Sequence, residues 1–209
     1  MDTEETRAKI IESATDLFKK QGCKRITMDN IANELHISKR TLYEHFETKE
    51  DLLMGCYLCL QKRIDERRRI FEKENNVPIM TALYLFKGVA HFYKHYALLI
   101  EDTRRYYPEI YNRMFLHQEF HWSEKVNATL QEAQRQGYIR PNADLQTATA
   151  VMVHFLDKVT LATGNAPSLA TLGEAGFTFM RGLLSVNAIE QFDIEEQKIK
   201  KLISESEIN

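Results

Sequence analysis

The sequence predicts an all-α protein, and three observations predict it. Apolar residues recur at helical spacing through most of the chain, and no strand-like alternation persists. Glycine (8) and proline (4) are sparse among the 209 residues, and several of them stand where an apolar-periodic run stops. Thr, Ser and Asp stand just before such runs, where N-caps belong. With 44% hydrophobic residues the chain can fill one or two cores.

The elements follow in order. Residues 4–20 put Ile10, Ile11, Ala14, Leu17 and Phe18 on one stripe, and Gly22 fits a C-terminal cap. Thr27 caps a second helix that turns Ile31, Ala32 and Leu35 inward. A three-residue break, "HIS", follows, and Ser38 opens a short third helix. Thr48 starts a long fourth helix, to about Glu74, with Glu50 and Asp51 in its first turn and Leu52, Leu53, Cys56, Leu60 and Ile64 along it. After "NNVP" the composition shifts. Residues 84–122 hold 11 of the 21 aromatic residues, where an even spread gives about four. Pro108 interrupts this region, which predicts a helix near 79–99, a short piece near 101–106 and a long helix near 109–136. "QGYIRPNAD" reads as a loop, with Gly137 as cap and Pro141 as breaker. Asp144 caps a helix over 145–163, ended by Gly164. "NAPS" leads into a helix over 169–187, and a charged helix over 193–205 comes last.

Composition excludes several classes. The opening "MDTEETRAKI" is acidic and has no apolar run, so no secretory signal is expected. No charge-free run reaches the length of a transmembrane helix, so no membrane partner is expected. Three cysteines are too few for a disulfide framework in this length, and the expectation is a reduced, cytoplasmic protein. The net charge is −2, and the first fifty residues hold nine Lys/Arg against ten Asp/Glu. A nucleic-acid role must therefore rest on where the basic residues stand.

They stand well. Two helices joined by a tight turn, the second short and polar, form a helix-turn-helix. "KRTLYEH" is poor in core residues because its outer face must stay polar to enter a major groove. Ile37 and Leu42 anchor it to Ala32 and Leu35. Lys39, Arg40, Thr41, Tyr43 and His45 remain outside. Arg and Lys donate to guanine, and Thr contacts a base edge or a thymine methyl. Ser38, Tyr43, His45 and Lys49 are placed to donate to phosphates, beside the N-terminus of the fourth helix. Lys19, Lys20, Lys24 and Arg25 make another basic cluster, with no acid among them.

"GCKRITMDNIANELHISKRTLYEHFETKEDLL", within a match from about Ala8 to Leu53, resembles the TetR family of bacterial transcription regulators. The resemblance rests on Ala14, Phe18, Gly22, Thr27, Ile31, Ala32, Ser38, Thr41, Leu42, Tyr43, His45, Phe46, Lys49 and Leu52, and "TLYEHFETKEDLL" is its most specific part. It implies an N-terminal three-helix helix-turn-helix domain over 1–48. A C-terminal helical ligand-binding and dimerisation domain over 49–209 would follow, joined to the first by helix 49–74. By position, Ser38, Lys39, Arg40, Thr41, Tyr43, His45 and Lys49 would face DNA, with Thr27 near a phosphate. Glu44 and Glu47 depart from the pattern by bringing negative charge close to the DNA.

Other constellations are weaker. Cys56 and Cys59 form one C-x-x-C in mid-helix, which reads as two small core-side residues rather than zinc ligands. His91/His95 and His117/His121 are i, i+4 pairs that would suit a metal if they faced one another. A di-metal enzyme would also want Glu-x-x-His pairs, and there are none. The aromatic cluster reads either as core or as the wall of a ligand cavity. For a cavity the residues are Tyr93, Tyr96, Tyr107, Tyr111, Met114, His117, His121 and Phe155, between the helices near 79–99, 109–136 and 145–163. The expectation is a homodimeric regulator, not an enzyme and without a cofactor. It would bind a double-stranded DNA operator and be released as a repressor by a small-molecule effector. The rival is a DNA-bound structural factor with no small effector. Dimerisation is expected through the last two long helices, which offer Leu145, Ala148, Met152, Phe155 and Val159, then Leu172, Ala175, Phe179, Leu183 and Val186.

Overall fold

The computed structural model describes residues 3–74, 95–162, 169–194 and 196–197, with side chains except at 74, 115–122, 154–162 and 169–173. Among these residues the regular elements are helices: α1 (Thr3–Gln21), α2 (Met28–Glu34), α3 (Lys39–His45) and α4 (Lys49–Glu74), then α5 (95–106), α6 (Pro108–Arg135), α7 (Leu145–Ala162), α8 (Leu169–Arg181) and α9 (189–194). They divide into two compact units. One is Met1–Glu66 with His95–Gln118, the other Arg67–Lys94 with Glu119–Asn209. The cuts after Glu66 and after Gln118 fall inside helices, α4 and α6.

The first unit grows from local signals. α1 buries Ile10, Ile11, Ala14, Thr15 and Phe18. It stops at Gly22, whose φ of +79° is the left-handed conformation that a C-terminal cap needs. The Gly22 N–H closes the helix on the Phe18 carbonyl at 3.0 Å. Thr27 caps α2 with a capping box: Asn30 N donates to Thr27 Oγ1 at 3.2 Å, and Thr27 N donates to Asn30 Oδ1 at 2.8 Å. Thr48 and Asp51 repeat the device at the start of α4, at 3.0 and 3.1 Å. Ile31, Ala32, Leu42, Phe46, Leu52, Leu53 and Cys56 fill the space between these helices.

α5 completes this core with Leu99, Ile100 and Thr103, all fully buried. Tyr57 on α4 donates its hydroxyl to Thr103 Oγ1 at 3.1 Å, and Thr103 donates to the Leu99 carbonyl at 2.6 Å. Burial raises the Tyr57 hydroxyl well above its ordinary pKa, so the ring stays neutral. The predicted separate piece near 101–106 is corrected: the helix is continuous over 95–106. Nothing near residue 100 breaks a helix, and Thr103 satisfies its own hydroxyl on the preceding turn. The expected break at Pro108 is present at Tyr107, and Pro108 begins α6, because proline fits a first helical turn whose N–H has no partner within the helix.

The second unit has its own core, built from Val126, Leu130 and Ala133 of α6, Ala148 and Met152 of α7, Phe177 and Met180 of α8, and Ile139, Leu183, Leu184, Ala188 and Phe192. α6 unwinds at Gly137, φ +81°. Asp144 caps α7 through Oδ1, which accepts from Gln146 N and Thr147 N at 3.0 and 3.1 Å. The expected helix over 169–187 is shorter. α8 ends at Arg181, because the next residues pair with the loop after α6. Arg140 N donates to the Leu183 carbonyl at 3.1 Å and Ser185 N to the Tyr138 carbonyl at 2.8 Å, around an Ile139–Leu184 bridge. Leu183 and Leu184 are thereby core residues, not part of a helical stripe. The last helix also begins earlier than expected, at residue 189, and 198–209 lie outside the described residues.

Candidate nucleic-acid interface

α3 has seven residues, too few to persist alone in water. It is built by its ends and one anchor. Ser38 Oγ accepts from Thr41 N at 3.0 Å, and the Phe46 N–H returns to the Leu42 carbonyl at 3.0 Å. Leu42 is its only buried residue, seated at 0% exposure. The turn before it, Leu35–Ser38, is closed by His36 N on the Asn33 carbonyl and Ile37 N on the Ala32 carbonyl, at 3.1 and 3.0 Å. His36 takes a positive φ of 53°, which re-aims the chain within this short span. Below, Phe46 is buried and carries the Arg7 guanidinium over its ring at 4.8 Å.

The outer face of α3 is polar and its charges are held loosely. Lys39 Nζ meets Asp29 of α2 at 2.6 Å, and Arg40 Nε meets Glu44 one turn on at 2.9 Å. Both pairs are in solvent, where such pairs are worth little and exchange readily for other anions. The Asp29 carboxylate, by hydrogen bond and charge, raises the Lys39 pKa, so Lys39 stays cationic. Tyr43 is 47% exposed, and His45 is half-buried. Thr41 shares a 2.8 Å hydroxyl contact with Ser38. Thr27 donates its hydroxyl to Asn30 Oδ1 at 2.8 Å, so that proton is already engaged in the cap. Lys49, at the start of α4, lies over the Tyr107 ring at 5.5 Å. The arrangement offers a strip of cations and hydroxyls on one short, exposed helix.

The expected cavity residues are placed less evenly. Tyr96, Tyr107 and Tyr111 are half-buried, and Met114 is buried. All four belong to the first unit. Tyr96 carries Lys19 over its ring at 5.5 Å. Tyr93 and His91 lie outside the described residues, as do the side chains of His117, His121 and Phe155. Among the described residues no three His, Cys, Asp or Glu side chains are grouped to hold a metal. Cys56 is fully buried, and its burial pushes the thiol up to about 12. Cys59 is half-buried. No described helix is long and apolar enough to cross a membrane.

Two features were missed in the sequence. Asp29 gave no signal as the partner of Lys39, since the two are ten residues apart on different helices. The basic cluster at Lys19–Arg25 was visible, but its partners Asp102 and Tyr106 are about eighty residues away.

Comparison with known proteins agrees with this geometry. Residues 10–55 match the model described as "Bacterial regulatory proteins, tetR family". An HTH-type transcriptional regulator of Staphylococcus aureus (strain USA300) is 44% identical over 64 residues, 31% of this chain and 33% of its own length. The chain thus spans about a third of that relative. Among solved structures, a regulator from Saccharomonospora viridis in complex with choline is similar with a TM-score of 0.72 at 18% identity, over 87% of this chain and 99% of that one. The TetR family protein CprB from Streptomyces coelicolor, in complex with its operator sequence, gives 0.70 at 21% identity, over 96% and 99%. These structures establish the helical fold across nearly the whole chain. Over residues 10–55, then, the chain is similar to the tetR family of bacterial regulatory proteins.

Proposed function

We propose that the protein is a DNA-binding transcription regulator, a homodimeric repressor released from its operator by a small-molecule effector. The observation that carries the DNA reading is α3 itself. A seven-residue helix with one buried side chain and Lys39, Arg40 and Tyr43 on its exposed face has little value as packing. It has a clear use as an insert in a major groove. Arg40 exchanges Glu44 for guanine O6 and N7, and Lys39 leaves Asp29 for the DNA. Lys49 and Tyr43 donate to phosphates. Glu44 and Asp29 keep the free head from binding any duplex indiscriminately. The operator complex of CprB supports this reading.

The effector is an apolar or aromatic organic molecule with a polar handle, held in the aromatic-rich region after α4. The compositional concentration in residues 84–122 supports it, because aromatic walls supply burial while Tyr and His supply oriented donors. The choline complex of the S. viridis regulator is a parallel case of a small ligand on this fold. Coupling is a population shift: ligand favours a dimer whose two reading helices are wrongly spaced for the operator.

The test begins with selection of duplexes from a random library, followed by titration of the recovered site. Arg40→Ala is expected to cost about 1–3 kcal/mol and to relax preference at one base pair. Lys49→Ala is expected to weaken all sequences alike and to lower the salt slope by about one unit per half-site. Unchanged affinity and selectivity in Arg40→Ala would assign the wrong face of α3. A metabolite screen read by melting temperature tests the effector. No shift with any ligand favours the structural-factor rival.

A further inference from the structure

A second site lies away from α3. The end of α1, the turn into α2 and the outer side of α5 enclose a cleft of about 380 Å³, lined by Lys20, Gln21, Lys24, Arg25, Leu98, Asp102 and Tyr106. All these residues belong to the first unit. Three cations and one carboxylate share the concavity. The carboxylate is engaged, since Asp102 Oδ2 accepts the Lys24 backbone N–H at 2.9 Å. Lys24 is held as well: its ammonium donates to Tyr106 Oη at 3.0 Å and lies over that ring at 4.2 Å. Lys20 and Arg25 are exposed, and among the described residues neither makes an ion pair. Beside these cations stand two large exposed apolar side chains, Leu98 at 42% and Tyr106 at 36%.

We propose that this cleft binds a small organic anion, its acid group between Lys20 and Arg25 and a short aliphatic or aromatic body against Leu98 and Tyr106. Three like charges brought to one concavity repel one another, and an anion relieves that repulsion. A guanidinium and an ammonium are the donors that hold a carboxylate or phosphate most strongly. The size falls in the range of small-ligand sites. A duplex backbone is the poorer occupant. It would meet the Asp102 carboxylate and gain nothing from Leu98 and Tyr106. The site differs from the expected effector cavity, because four of its lining residues lie at the end of α1 and in the turn after it, and none of the lining residues is among those named for that cavity. An anion bridging that turn to α5 fastens the reading head to α5. Its effect on operator binding rests on the DNA reading above, whereas the binding itself does not.

The test uses the full-length protein and octanoate as probe, by calorimetry and backbone amide shifts. Octanoate is expected to saturate, with shifts confined to residues near 20–25 and 98–106. Inorganic phosphate lacks the apolar body and octanol lacks the charge, so each is expected to bind at least about tenfold more weakly. The Lys20→Ala/Arg25→Ala double variant and Leu98→Asp, shown folded by an unchanged melting profile, are each expected to lose about tenfold or more. No saturation at millimolar octanoate overturns the proposal, as do phosphate binding as tightly as octanoate or affinity unchanged in the variants. Operator affinity lost in the double variant, with no octanoate binding to the wild type, assigns the cleft to the DNA backbone instead. Octanoate binding at these residues in a protein that recognises no duplex keeps the site and removes only the DNA reading.

Discussion

Gly22 shows how much one residue can carry. Its left-handed φ of +79° ends α1, and a Cβ there would overlap the Asp102 carboxylate that holds the Lys24 N–H. Gly22→Ala combines backbone strain with a clash, so a loss of about 1–3 kcal/mol is expected, measured as a fall in the urea midpoint. The cysteines give a second expectation. Burial holds the Cys23 thiol above its ordinary range and moves Cys56 from 9.0 to about 12. Between those two values the unfolded chain loses a proton that folded Cys56 retains. Stability therefore falls as pH rises from about 9, and Cys56→Ala flattens that decline in urea titrations run across the alkaline range. At neutral pH a thiol reagent is expected to label Cys59 first, with Cys23 and Cys56 reacting only on unfolding; labelling of Cys56 in the native state would contradict its burial. The local half of this scale was legible. Thr27, Ser38 and Thr48 were readable as caps because each partner is three residues away. The Lys24–Asp102 contact was not, because 78 residues separate its ends.

Among the elements, α3 is the most exposed to a single change. Leu42 is the one side chain it buries, and Phe46 follows it into the core. Leu42→Ala is expected to cost about 2–5 kcal/mol in urea unfolding. Amide exchange in α3 is expected to rise more than in α1, because capping bonds alone do not hold seven residues in a helix. Equal exchange in both would mean that the caps suffice. Helix existence was readable along most of the chain because apolar spacing and caps agree. Helix ends were less readable. α8 stops at Arg181 because Leu183 and Ser185 pair with the loop carrying Tyr138 and Arg140, and no local pattern announces a partner more than forty residues back. Pro108 was readable as a boundary, because the same ring that breaks a helix interior suits a helix start, and α6 begins there.

For the whole molecule, two separate cores predict two cooperative blocks. Met180→Ala, in the core of the second unit, is expected to speed exchange in α8 while leaving α2 and α3 protected. Uniform loss of protection would show that the units melt together. Val151 on α7 is 41% exposed beside buried Met152, which accords with the proposed dimer through α7 and α8. A strictly monomeric mass by sedimentation at micromolar concentration would remove that proposal. The proposed dimer and the proposed cavity rest only on patterns of excess apolar and aromatic residues, since a pattern does not say which surface it meets. The first unit, however, has a consequence for the chain as an object of engineering. Its core is not contiguous: Leu99, Ile100 and Thr103 of α5 sit beside Cys23 and Tyr57 of the head. The helix-turn-helix head is therefore no detachable cassette. A fragment cut after Glu66 exposes that apolar seam and removes Thr103, which accepts the Tyr57 hydroxyl. A chimaera that borrows this helix-turn-helix head must carry α5 with it, and its natural splice points are the unit boundaries inside α4 and α6.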